Sequence, residues 1–143
     1  MGLLETVLVP IAHERDAEAT CEAALPPLEG TDLIVAVHVI EKSGGFIDKA
    51  PLEQREEQAE EVFAMIEECF AGSGIDLETR LVYDTDVVEG IVETAGEVGA
   101  TSIAFSPRSG GRLTKLLSGD VWHDLVKASD TPVIVLPKPA GTD

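Results

Sequence analysis

From Ser106 to Gly119 the chain reads Ser-Pro-Arg-Ser-Gly-Gly-Arg-Leu-Thr-Lys-Leu-Leu-Ser-Gly, a set of residue types suited to holding an anion. Arg108, Arg112 and Lys115 are three of the chain's ten basic residues, and the span between Glu97 and Asp120 is its longest stretch without a carboxylate. Gly110 and Gly111 carry no Cβ, so their backbone amides can approach a ligand closely. A helix expected to open near Gly119, with Asp120 and Val121 in its first turn, would add free N–H groups and the positive end of a dipole. The plainer alternative is a surface loop that has collected basic residues.

Such a loop needs elements to position it, and the hydrophobic pattern supplies them. Thr6 to Ile11 is a short apolar run suited to a buried strand, with its proline near the end where a ladder donor can be spared. Asp16 can cap a helix bearing Ala17, Cys21, Ala24, Leu25 and Leu28, which Pro26 and Pro27 cut short, leaving Leu28 in the turn. Leu33 to Ile40 is apolar on both faces apart from His38, the mark of a central parallel strand. After a loop from Glu41 to Lys49, Pro51 opens the longest helix, whose apolar stripe is Leu52, Ala59, Val62, Phe63, Ile66, Cys69 and Phe70. Glutamates occupy its other face, and Gly72-Ser73-Gly74 stops it.

Ile75 to Tyr83 alternates as a half-exposed strand does, with Ile75, Leu77, Thr79, Leu81 and Tyr83 on one face. Asp86 and Glu89 have capping-box spacing and begin a helix with Val87, Val88, Ile91, Val92, Ala95 and Val98 inward, ended by Gly99. Thr101 to Phe105 is a fourth strand, a helix follows from about Gly119 to Ala128, and Thr131 to Leu136 is a fifth strand. The alternation predicts a single α/β domain over residues 1–143. Its architecture is a doubly wound, five-stranded parallel sheet of order 3-2-1-4-5 with helices on both faces. In such a sheet ligands bind beyond the carboxyl ends of the strands where the winding reverses, here between the first and fourth strands. That directs attention to Ala12–Arg15 and to Ser106–Gly119.

Several features in this order resemble the universal stress protein family. They are the opening Thr-Val-Leu-Val-Pro-Ile strand, the Val-His-Val-Ile-Glu end of strand two, the Gly/Ser/Arg loop after strand four, Gly-x-Val at a helix start, and the closing Thr-Pro-Val-Ile-Val-Leu. The resemblance covers nearly the whole chain. It implies a candidate nucleotide or anion site at Ala12, Val39, Ser106, Ser109, Gly110, Gly111, Arg112, Gly119, Asp120 and Val121, and a homodimer formed through Thr131–Leu136.

The ATP-binding members use Gly-x-x-Gly, nine residues, then Gly followed by Ser or Thr. On this chain those positions are Ser106, Ser109, Gly119 and Asp120, so only Gly119 is kept. Serine is bulkier where the backbone should hug phosphate. A carboxylate at Asp120 repels phosphate and can itself cap the helix. Ala12 stands where the family commonly has Asp, and Trp122 where small residues are frequent.

Composition narrows the function classes. Twenty-seven Asp and Glu against ten Lys and Arg give a net charge of −17 spread along the chain. Such a field repels nucleic acid and anionic membranes. Over an aliphatic core it points to solubility in concentrated salt and to a salt-adapted microbe. No apolar run reaches a membrane-spanning length, and the N-terminus lacks the basic and apolar regions of a secretory signal. Cys21 and Cys69 read as buried small hydrophobes rather than a metal or redox pair, which leaves the cytoplasm as the expected compartment. His13, His38 and His123 form neither a helical ligand pair nor a triad. His38 reads as a satisfied strand residue and the other two as surface groups.

The expectation is therefore a non-enzymatic stress-response or regulatory protein with a degenerate nucleotide-binding loop, acting through a partner or small ligand. It has no catalytic residue, no metal and no required cofactor. The alternative is an ATP-binding member with weak ATPase or phosphotransfer activity. A phospho-receiver domain shares the winding and a Lys near the end (Lys138). It would need acids where Ala12 and His13 stand, and a fifth helix.

Overall fold

The computed structural model describes residues 4–11, 21, 27–41, 49–105, 124–125 and 127–136. The elements in chain order are β1 (Thr6–Pro10), β2 (Leu33–Glu41), α1 (Lys49–Phe70), β3 (Asp76–Asp84), α2 (Val87–Val98), β4 (Ser102–Phe105) and β5 (Val133–Val135). Every strand pair is parallel and the order is β3-β2-β1-β4-β5, as the alternation of elements predicts. Boundaries differ from the sequence reading by a residue or two. α1 begins at Lys49, so Pro51 lies within its first turn, where its missing N–H forfeits no helical bond.

Right-handed crossovers explain where the core lies. The walk from β1 to β2 to β3 puts both connecting segments on one face of the sheet, and the walk from β3 through β4 to β5 uses the other. On the first face Val7, Val9, Ile11, Ile34 and Ala36 meet Val62, Ile66 and Phe70 of α1. On the second, Leu8, Val35, Val37 and Ile103 meet Ile91 and Ala95 of α2 and Leu125. Strand residues of alternating parity thus feed opposite cores, as a central strand covered on both sides requires. Leu28, in the turn after the two prolines, is 1% exposed, and the Thr31 hydroxyl and amide both donate to its carbonyl at 2.6 and 3.1 Å.

The first face also corrects the reading of the cysteines. Cys21, in helical conformation and 1% exposed, is joined to Cys69 near the end of α1 as a disulfide, with Cα atoms 6.5 Å apart. Both residues do sit on apolar stripes. The stripes belong to segments that the two same-handed crossovers lay side by side, so the sulfurs meet. This leaves no free cysteine among the described residues.

Candidate functional site

Parallel strands all end on one side of the sheet, and the winding reverses between β1 and β4, the place where open sheets of this kind bind ligands. β1 pairs β2 from Thr6↔Leu33 to Pro10↔Val37, and pairs β4 at Val7↔Ser102 and Leu8↔Ile103. The Ile11 amide donates to the Val37 carbonyl at 2.8 Å, which carries the ladder one residue beyond the proline. The Ile11 carbonyl lies 2.8 Å from Nδ1 of His38. A carbonyl accepts, so Nδ1 carries the proton in this contact.

His38 shares the parity of Ile34 and Ala36, which puts it on the α1 face. There its ring stands edge-on to Phe63, with centroids 6.5 Å apart and planes at 89°. Its reading as a satisfied strand residue holds. It also pins the last backbone group before the chain leaves β1, a role that its sequence position alone did not disclose.

Val39 is the candidate residue that falls among the described ones. It is half-buried on the α2 face. A Cβ on Gly90 of α2 would meet its Cγ1 at 3.2 Å and its Cγ2 at 3.3 Å. Gly90 therefore lets the first turn of α2 sit directly on the end of β2. Asp86 caps that turn in extended conformation (φ −137°, ψ 125°), and its Oδ1 accepts from the Glu89 amide at 3.1 Å. The Asp86 amide in turn donates to Oδ1 of Asp84 at 3.1 Å. The Asp86–Glu89 spacing thus marks the helix start correctly, with Asp84 serving the cap residue's own amide. At the far end Gly99 takes the left-handed conformation (φ 67°, ψ 41°) and its amide donates to the Ala95 carbonyl.

Ala12, Ser106, Ser109, Gly110, Gly111, Arg112, Gly119, Asp120 and Val121 lie outside the described residues, as do Arg108, Lys115, Trp122, His13 and His123. The described structure fixes the places where both loops depart, Ile11 and Phe105, on neighbouring strands at the same end of the sheet. A separate groove of about 530 Å³ lies between α2 and the residues around Asp124, with Asp86, Glu89, Glu93 and Asp124 in its lining. With Lys127 the one basic residue among its lining, its four carboxylates leave the groove net acidic, which disfavours phosphate.

Among the described residues no group of His, Cys, Asp and Glu is arranged to hold a metal, and no helix is long and apolar enough to cross a membrane. The feature missed in the sequence was the cystine. The available signal was topological: two cysteine-bearing helices assigned to the same face of a 3-2-1 walk.

The model of the universal stress protein family matches residues 4–137. No curated protein matches the chain. Among solved structures, a universal stress protein from Archaeoglobus fulgidus in complex with dAMP is similar at TM-score 0.63 and 21% identity, covering 95% of this chain and 100% of that one. A universal stress protein in complex with cAMP is similar at TM-score 0.70 and 18% identity, with coverage of 96% and 99%. A family protein from Burkholderia pseudomallei is similar at TM-score 0.69 and 21% identity, with coverage of 96% and 98%.

Proposed function

This chain belongs to the universal stress protein family, and from that premise we propose a non-enzymatic stress-response or regulatory protein with a degenerate phosphate loop. It acts through a protein partner or a small ligand. The observation that carries the reading is the loop that follows β4. Of the four positions that grip phosphate in the family's ATP binders, Ser106, Ser109, Gly119 and Asp120, only the glycine at 119 is kept. At the start of the helix expected near Gly119, an Asp120 carboxylate would supply the negative charge that a phosphate brings and would repel a second one. The loop's sequence carries no recognisable general-base motif. The net charge of −17 fits the salt-adapted setting, in which surface carboxylates keep the protein dissolved.

A homodimer through the Thr131–Leu136 strand is part of the proposal. β5 is an outer strand and Val135 is 47% exposed, an apolar edge that invites pairing.

Equilibrium titration of the full chain with ATP and magnesium tests the reading. The expected result is no micromolar binding and no hydrolysis. The triple variant Ser106→Gly, Ser109→Gly, Asp120→Ser is expected to gain at least about tenfold in affinity, since each tenfold needs only ~1.4 kcal/mol. Micromolar affinity in the unaltered chain, lost on Arg112→Ala, would establish the second reading, an ATP-binding member with weak ATPase activity. That reading draws its support from the two similar structures solved with dAMP and cAMP.

A further inference from the structure

We propose that Cys21 and Cys69 form a reversible thiol–disulfide couple. Its state, set by low-molecular-weight thiols and disulfides, decides whether the segment following β1 is covalently tied to α1. The chain has two cysteines and they are joined to each other, so no other internal partner competes for either sulfur. Their Cα separation of 6.5 Å lies within the range that a disulfide spans without backbone movement.

Two observations point to a couple that turns over rather than a permanent staple. The first is that the fold does not depend on the bond to make a core. Cys21 sits among Val9, Ile11, Leu28, Val62 and Ile66, an aliphatic cluster that continues across the sheet into a second one. A reduced cysteine is a small hydrophobe, so two thiols in this cluster leave neither a buried charge nor a costly unmet hydrogen bond. Reduction needs only a side-chain rotation that separates the two sulfurs, with apolar neighbours around both.

The second is that the two sulfurs differ in access. Cys21 is 1% exposed, whereas Cys69 is half-buried in the last turn of α1 and is followed by the exposed Ala71 and Gly72. Exchange therefore enters at Cys69. A small thiolate attacks the Cys69 sulfur, the S–S bond breaks, and the electron pair leaves on the Cys21 sulfur, which takes a proton. A second small thiolate then attacks the small-molecule sulfur of the mixed disulfide, releasing Cys69 as a thiol and the oxidised small disulfide. In balance, one protein disulfide and two small thiols give two protein thiols and one small disulfide. The reverse direction uses that small disulfide as the oxidant.

The consequence lies in what is tethered. Cys21 follows Ile11 by ten residues, and Ile11 is the point where the chain leaves β1, held by Val37 and His38. In the oxidised state that departing chain is anchored at both ends, by hydrogen bonds at Ile11 and by sulfur at Cys21. In the reduced state the covalent anchor at Cys21 is released.

The test equilibrates the full chain in buffers of graded reduced-to-oxidised glutathione ratio, followed by acid quenching, alkylation in denaturant and mass measurement. The expected result is one transition between a form taking two alkyl groups and a form taking none. The oxidised form is expected to melt about 10 °C higher, from the entropy of closing a loop with a sequence separation of 48. That difference should vanish in Cys69→Ser, whose position is half-exposed, and in Cys21→Ala. Two alkyl groups at every ratio, none at any ratio, disulfide-linked dimers as the oxidised product, or equal melting points would each overturn the proposal.

Discussion

At the end where β1 and β4 begin, a threonine closes the sheet. The Thr101 hydroxyl accepts from the Thr6 amide at 3.0 Å and lies 3.0 Å from the Thr6 carbonyl, which also receives the Thr101 amide at 2.7 Å. Beside it the Leu33 amide donates to Glu5 and that of Asp32 to Leu4, so the strands start as a sewn edge. At the end where the strands stop, one histidine holds the Ile11 carbonyl, Gly90 brings α2 onto Val39, and Asp84 and Asp86 form a cap. The first end is closed by backbone and hydroxyl bonds that join the starts of neighbouring strands directly. The second is held by a side chain on a backbone carbonyl, a helix seated on a strand and a carboxylate cap, and the chain leaves β1 and β4 there on neighbouring strands.

Substitutions can break this contrast, and the largest effect is expected at the end where the strands stop. Gly90→Val drives a Cβ to within 3.2–3.3 Å of Val39 and Asp84, and should cost about 2–3 kcal/mol in denaturant unfolding. Adding Val39→Ala should recover part of that loss. A double variant no more stable than Gly90→Val would show that the contact is not the cause.

At the sewn end, Thr101→Val keeps the shape but removes both hydroxyl bonds. The expected cost is about 1–2 kcal/mol, read in the same measurement. A change near zero would mean that the edge is closed by backbone bonds alone.

The smallest effect concerns Tyr83, the chain's one tyrosine, whose hydroxyl donates to the Glu56 carboxylate of α1. That bond, with minor help from burial and the carboxylate charge, holds the phenol above its ordinary 10.0. The folded state thus keeps this proton more tightly than the unfolded chain. The stabilisation is complete below the ordinary tyrosine range and is lost as pH rises through the raised value. Ultraviolet titration should find the midpoint above 10.0, falling towards it in Glu56→Ala.

How much of this was legible in the sequence depended on whether the signal was local. The strands at Thr6, Leu33 and Thr101 and the helix bounded by Asp86 and Gly99 are written in adjacent residues, and the right-handed crossover turns them into one strand order. The place expected for the candidate site follows from that order, whereas the resemblance rests on sequence motifs such as the Gly/Ser/Arg loop. Less legible were contacts between distant segments. The tie from His38 to Ile11, the seat of Val39 on Gly90 and the meeting of Cys21 with Cys69 depend on which face each residue occupies. For the cysteines the clue was present in the topology. Within its own stripe, each cysteine resembles any small hydrophobe.

The outer strand β3 carries Asp76, Glu78, Arg80 and Asp84 along its length, with Arg80 paired to Glu78 at 3.1 Å and to Glu97 at 3.7 Å. The opposite outer strand, β5, is short and ends on the exposed Val135. A sheet with one charged margin and one apolar margin has a built-in stop. Copies that joined through β5 would present only charged margins outward, so strand addition would end at a pair and could not run on into a fibre.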